Sequence, residues 1–258
     1  MHFEDKPIFH LRQEHLNAFE KNFVSERFEN QILEYLTQFF PKQNEILGET
    51  QMRRVIRYGI KQAKDHGFTT ERNIYRYINL MLMLGSHFDT DLQLPWRTTC
   101  FKETALTTQT PRMNHFYNKA MAYLDRVAGI NNEYLNQALI KTYKVLIRQS
   151  KPVNFENFAY DVIIQFRNLW PEKYEEISQI EMHHWVQYGL ESSRRYSITR
   201  QPGILTYLIL MSIFGSDFDK DPQFYQFHSI LNYGERVNQE TKISQLNTEA
   251  LHYLNNWL

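Results

Sequence analysis

The sequence is poor in residues that crosslink or interrupt a chain. Its 258 residues include one cysteine, nine glycines and eight prolines. The single cysteine, Cys100, excludes an intrachain disulfide and leaves a cysteine-ligated zinc site without its ligands. The longest apolar run, Ile204–Phe214, contains Thr206 and Ser212 and is too short to span a bilayer. We therefore expect a soluble protein that is stabilised by an apolar core.

The chain also lacks an excess of charge, because 29 basic residues balance 29 acidic ones. Binding to a nucleic-acid backbone needs a concentrated positive field, so we expect no nucleic-acid partner. The N-terminus carries Glu4 and Asp5 and no apolar core, unlike a secretory signal. Aromatic residues are abundant, with 16 tyrosines and 18 phenylalanines. Composition thus predicts a globular cytoplasmic protein with no membrane partner.

The two halves of the sequence match each other at a constant offset of 130 residues. Gly85–Asp91 reads GSHFDTD, and Gly215–Asp221 reads GSDFDKD. The same offset, without a gap, also aligns Phe28 with Phe158, Phe40-Pro41 with Trp170-Pro171, Met52 with Met182, Tyr58-Gly59 with Tyr188-Gly189, Tyr77 with Tyr207, Leu80-Met81 with Leu210-Met211, and Ala120 with Ala250. Chance does not keep one register for so long. We predict a tandem duplication, with a first repeat of residues 1–128 and a second repeat of residues 129–258.

Helical periodicity dominates both repeats, and no strand pattern is evident. Met52, Val55, Ile56 and Ile60 recur every three or four residues, which predicts a helix over 51–65. Apolar residues cover nearly the whole circumference of the helix that ends at Phe214, which is typical of a central helix. Further helices are predicted over 30–39, 70–84, 113–127, 159–170 and 243–257, and a threonine-rich loop over 97–110. We expect an all-α fold of two similar helical bundles with pseudo-twofold symmetry.

Local signals suggest how the helices begin, end and pack. Thr69 or Thr70 offers an N-cap hydroxyl, and Thr199 is the matching residue in the second repeat. Gly85 can take the left-handed conformation that ends a helix. Tyr58-Gly59 and Tyr188-Gly189 recur because, we expect, two helices pack closely at the glycine.

No catalytic or metal-binding signature stands out. Asp217, Asp219 and Asp221 resemble the opening of a calcium loop, but Pro222 and His228 occupy the positions that need glycine and glutamate. We interpret the segment as a polar turn in which Asp89 and Asp219 cap the chain segment after them. His183 and His184 are adjacent and lack the spacing of a metal pair on a helix. We expect no metal, no cofactor and no enzymatic activity.

A basic stripe is the clearest difference between the repeats. Arg53, Arg57, Lys61 and Lys64 correspond to His183, Gln187, Glu191 and Arg194. A solvated face that drifts freely explains this difference, as does specialisation of the first repeat for an acidic partner. No feature of the fold calls for the stripe, so it is the first candidate for partner binding. An aromatic surface around Phe224, Tyr225 and Phe227 is the next.

Several motifs of the first repeat resemble an uncharacterised bacterial family. Its pattern of YGI, GITxERD, YxxLM, GxxFDxDP and PW is similar to Tyr58-Gly59-Ile60, Gly67–Asn73, Tyr77–Met81, Gly85–Asp91 and Pro95-Trp96. The second repeat keeps the Tyr-Gly pair and the aspartate turn but lacks the GITxERD cap and the Pro-Trp pair. Members of this family are encoded near type VI secretion spike proteins and effectors and have no assigned activity.

The resemblance implies a small cytoplasmic accessory protein that binds a secreted effector, either as its immunity protein or as its chaperone or adaptor. Two alternatives remain from the residues alone. One is an enzyme whose site lies between the repeats, which predicts clustered carboxylates or histidines with shifted pKa values in a deep cleft. The other is a regulatory protein-interaction module.

Overall fold

The computed structural model describes residues 13–98, 108–148, 157–232 and 237–258, with side chains from residue 25 onward. Helices and turns make up these ranges, without a strand, so the predicted all-α class is confirmed. None of the helices in the described ranges has the length and apolar character needed to cross a bilayer. The helices are α1 (Gln13–Phe39), α2 (Pro41–Asp65), α3 (Glu71–Leu84), α4 (Gln109–Ala128), α5 (Glu133–Arg148), α6 (Phe158–Leu169), α7 (Pro171–Glu175), α8 (Gln179–Arg195), α9 (Gln201–Phe214), α10 (Tyr225–Leu231) and α11 (Gln239–Asn255), with single 3₁₀ turns at Ile130–Asn132 and Pro222–Phe224.

The chain divides into two compact units, a small unit of residues 1–57 and a large unit of residues 58–258. The large unit contains residues of both predicted repeats. The repeats, 1–128 and 129–258, are defined by sequence similarity and stay a prediction.

The chain breaks its helical path at the same aligned position in both repeats. Gly48, within α2, has φ 68° and ψ 161°. The residue 130 positions later is Ser178, the N-cap of α8, whose side chain and that of Glu181 form a capping box. At the first position, glycine adopts the positive φ without steric cost. At the second, the serine hydroxyl caps the helix that begins immediately after it. The helix predicted over 51–65 is therefore confirmed and lies within the longer α2.

The predicted central helix is confirmed as α9. It contacts α5, α6, α8 and α11, and residues all around its circumference are buried. Its neighbours supply large buried side chains, among them Trp185, Phe218 and Phe227. A helix with one buried face needs apolar residues on that face alone. Because α9 has neighbours on every side, apolar residues occupy its whole circumference.

Glycine permits the close packing predicted for the two Tyr-Gly pairs. A Cβ on Gly59 would lie 2.7 Å from Cγ1 of Ile78 and 2.8 Å from Sδ of Met81. A Cβ on Gly189 would overlap the side chain of Leu208. Both glycines thus let a helix approach the next one more closely than alanine would.

The N-caps of α3 and α9 differ from the prediction. Thr70 is the N-cap of α3, but its side chain makes no capping hydrogen bond. Instead, Oε1 of Gln109 accepts the Thr69 and Thr70 N–H groups at 2.7 and 3.2 Å. In the second repeat Arg200, not Thr199, is the N-cap, and Oε1 of Gln239 accepts its N–H. The cap comes from a helix distant in sequence, so local spacing could not reveal it.

Candidate functional site

A buried hydrogen-bond network joins the turns that follow α3 and α9. The Asp221 carboxylate accepts the Ser86 N–H and the Ser86 hydroxyl, both at 2.6 Å. Reciprocally, Asp91 accepts the Ser216 N–H at 3.2 Å and the Ser216 hydroxyl. Each residue of one set lies 130 positions from its counterpart in the other.

Two buried glutamines extend the network. Nε2 of Gln93 donates to the Met211 carbonyl at 2.9 Å, and Nε2 of Gln223 donates to the Met81 carbonyl at 2.8 Å. Burial raises the pKa of Asp221, and the hydrogen bonds from Ser86 and Gln223 oppose that rise. The buried donors are thus engaged with acceptors across the junction, in the other turn or in the helix before it, and the arrangement stabilises the junction.

Gly85 fits this junction because it carries no side chain. Its φ of 97° is positive, as predicted for a helix-ending glycine, but its ψ of 153° lies outside the left-handed helical region. A Cβ there would lie 3.2 Å from the Phe214 carbonyl oxygen. The repeated glycine therefore serves both the turn and the close approach of the two chain segments.

The capping role predicted for Asp89 and Asp219 is wrong. The caps are Asp91 and Asp221, which accept the N–H groups of Gln93 and Gln223 at 2.9 and 2.8 Å. Asp89 instead lies 2.6 Å from Nε2 of His66. Asp219 accepts the Tyr196 hydroxyl at 2.7 Å. The alternating aspartates point to different neighbours, which spacing alone could not assign.

The same contacts account for the segment that resembles a calcium loop. Asp217 accepts the Tyr188 hydroxyl at 2.5 Å, Asp219 binds Tyr196, and Asp221 binds Ser86. The three carboxylates therefore serve three separate partners. Within the described ranges no group of three or more His, Cys, Asp or Glu residues could hold a metal ion.

A half-buried polar cluster flanks the network. Nδ1 of His87 lies 3.2 Å from the Tyr58 hydroxyl, and Lys220 donates to Asp217 at 2.6 Å. Burial and nearby carboxylates raise the pKa of Tyr58 to about 12. Burial would raise the pKa of Asp217, but hydrogen bonds from Lys220 and Tyr188 lower it overall. At neutral pH the Tyr58 hydroxyl is therefore protonated and Asp217 is ionised, because each shift moves the pKa further from neutrality.

The predicted basic stripe is largely engaged within the fold. Nη1 of Arg53 donates to Glu29 at 3.0 Å, and Nε of Arg57 donates to the other Glu29 oxygen at 2.7 Å. Lys61 pairs with Asp65 at 2.8 Å. Burial would raise the pKa of Glu29, but these arginines lower it overall. The expectation that no feature of the fold calls for the stripe is therefore wrong for Arg53 and Arg57.

The buried carboxylate also explains why the repeats differ here. The residues that align with Glu29, Arg53 and Arg57 are Ala159, His183 and Gln187. The acid and both arginines are absent together from the second repeat, as expected if the arginines are there to neutralise the acid. Lys64 is exposed, and its counterpart Arg194 is also basic.

Two members of the predicted aromatic surface are core residues. Phe224 and Phe227 are 7% and 1% exposed, and their rings lie 4.7 and 5.3 Å from that of Phe214. Of the three residues, only Tyr225, at 41%, is exposed. The predicted surface is corrected accordingly, because Phe224 and Phe227 turn inward against α9.

Sequence reasoning missed an exposed apolar surface on α5 and α6. Ile140, Tyr160 and Ile164 are 41%, 60% and 39% exposed. Their counterparts at the offset of 130 are His10, Asn30 and Glu34, all of them polar. An apolar residue in one repeat aligned with a polar residue in the other is a signal that the sequence carries, and it would have identified these positions.

Comparison of the chain with family models, with curated proteins and with solved structures found no match.

Proposed function

We propose that this chain is a non-catalytic accessory protein that binds a secreted effector of a type VI secretion system, as an immunity protein or as a chaperone or adaptor. Binding is supported by a contrast between two groups of residues: those that both repeats share lie inside the molecule, whereas differences between the repeats occur at exposed positions. Gly59, Ser86, Asp91 and Gln93 recur in the second repeat, and each packs or bonds inside the molecule. Exposed positions such as Tyr160 and Ile164 differ, since their counterparts are Asn30 and Glu34. The resemblance to the bacterial family supplies the secretion context.

Catalysis is the weaker candidate. The polar cluster at Tyr58, His87 and Asp217 is where the enzyme alternative would place its site. Its pKa shifts keep the tyrosine protonated and the carboxylate ionised at neutral pH, away from the values that favour proton transfer.

The test is affinity capture with the tagged full-length chain from cells of the source organism, followed by binding measurements with the purified effector. We expect a stoichiometric complex. Relief of effector toxicity on co-expression would assign the immunity role, and loss of effector secretion without the chain would assign the adaptor role. Capture of a cytoplasmic regulator with no effector binding would contradict the proposal and favour the regulatory alternative.

A further inference from the structure

Apolar and basic side chains alternate on the outer surfaces of α5 and α6. On α5, Ile140 is followed at intervals of four by the exposed Lys144 and Arg148. On α6, exposed residues recur at i, i+4 and i+7, the spacing of one helix face. The two helices contact each other. We define the α5–α6 face as Ile140, Lys144, Arg148, Tyr160, Ile164 and Arg167.

The aligned positions of the first repeat do not share these residue types. At the offset of 130 the counterparts of the face are His10, Glu14, Ala18, Asn30, Glu34 and Thr37. All three apolar residues are replaced by polar ones, and all three basic charges are absent.

No carboxylate among the described residues pairs with the positive charges of this face. In the described part of the chain, neither Lys144 nor Arg148 pairs with an acidic side chain. Arg167 lies 5.7 Å from the ring centre of Tyr174. Arg53 and Lys61 of the predicted stripe, by contrast, already pair with carboxylates of the chain. An acidic partner would therefore find unpaired positive charge on α5 and α6.

We propose that the α5–α6 face docks an acidic amphipathic helix of the protein partner. The helix sets apolar side chains against Ile140, Tyr160 and Ile164 and carboxylates against the basic residues. Tyrosine and arginine are the side chains that most often anchor such interfaces. A membrane surface fits less well, because basic residues interrupt the apolar positions, whereas membrane binding favours a continuous apolar band. The proposal rests on the proposed function and names the chemistry of the partner.

The probe is an amphipathic peptide of about 18 residues, five helical turns, with leucine on one face and glutamate beside it. We expect it to bind the full-length chain with an affinity that falls as salt rises, and its lysine analogue not to bind.

The test variant is Lys144→Glu with Ile164→Glu, which installs the residues of the first repeat at both positions. It should weaken binding by at least about tenfold, because it removes an apolar contact and reverses a charge. Thermal unfolding should be unchanged.

The matched control is Lys119→Glu with Ile180→Glu, which makes the same two changes at exposed positions on α4 and α8; Ile180 is 70% exposed. The control should bind the peptide as the wild type does. Equal binding by all three proteins, or no binding, would overturn the proposal. So would binding to anionic phosphatidylserine vesicles in place of the peptide, or self-association that the test variant abolishes.

The captured effector separates this proposal from the proposed function. If the effector binds wild type and test variant equally, the α5–α6 face is wrong while the function stands. If the acidic peptide binds as expected but no effector does, the face stands and the proposed function fails.

Discussion

Glu29 is a buried carboxylate whose oxygens are held by Arg53 and Arg57. We expect Arg53→Glu with Arg57→Glu to lower the thermal unfolding midpoint, because the two new carboxylates would then meet those of Glu29 and Glu49. Lys64→Glu is the control and should leave the midpoint nearly unchanged, since exposed substitutions shift stability little. Circular dichroism melting measures both variants. Equal midpoints for wild type and double variant would mean that Glu29 needs no neutralisation.

The same cluster should contribute to stability in a pH-dependent way. The folded pKa of Glu29 is lowered, so its contribution is present above the unfolded pKa of about 4.3 and is lost as pH falls through the folded pKa. Denaturant unfolding of wild type and Glu29→Gln should therefore differ at pH 7 and converge on acidification. A difference that stays constant down to pH 3 would assign the contribution to packing instead of charge.

Lys173 is a buried lysine without a carboxylate bonded to it in the described structure. Its Nζ donates to the Ser212 carbonyl at 2.8 Å and lies 4.8 Å from the Trp170 ring centre, and burial lowers its pKa to about 8. The unfolded chain binds more protons than the folded one between about pH 8 and 10.4, so the wild type should gain up to about 3 kcal/mol relative to Lys173→Met across that window. Urea unfolding at both ends measures the gain. A gap between the two proteins that does not change with pH would contradict the lowered pKa.

At the scale of elements, the turns after α3 and α9 make equivalent hydrogen bonds to each other. Asp91→Ala leaves the donors of Ser216 unsatisfied, and Asp221→Ala does the same to those of Ser86. Each variant should lose about 1–3 kcal/mol of unfolding free energy, and the two losses should be similar. Ser229→Ala, at an exposed hydroxyl on α10, is the control. A large loss in one variant with none in the other would show that only one turn stabilises the junction.

The elements also show how far sequence reasoning reaches. Periodicity predicted α9 and residues 51–65 of α2, because the spacing of apolar residues shows whether one face of a helix or all of its faces are buried. It placed the first helix at residue 30, whereas α1 begins at Gln13. Periodicity did not predict the cap supplied by Gln109 or the burial of Phe227, because both depend on neighbours distant in sequence. The α5–α6 face was within reach, but only by comparing exposed positions between the repeats.

At the scale of the molecule, the large unit should open cooperatively, because the hydrogen bonds of each turn end on the other. Opening α3 would strip Asp221 of the Ser86 donors, and opening α9 would strip Asp91 of the Ser216 donors. We therefore expect central amides of α3 and α9 to exchange hydrogen with similar opening free energies. Mass-spectrometric exchange on peptides covering Glu71–Leu84 and Gln201–Phe214 measures both. Asp91→Ala should speed exchange in both helices. Much faster exchange of α3 in the wild type would mean that the helices open independently and that the network only aligns the two turns.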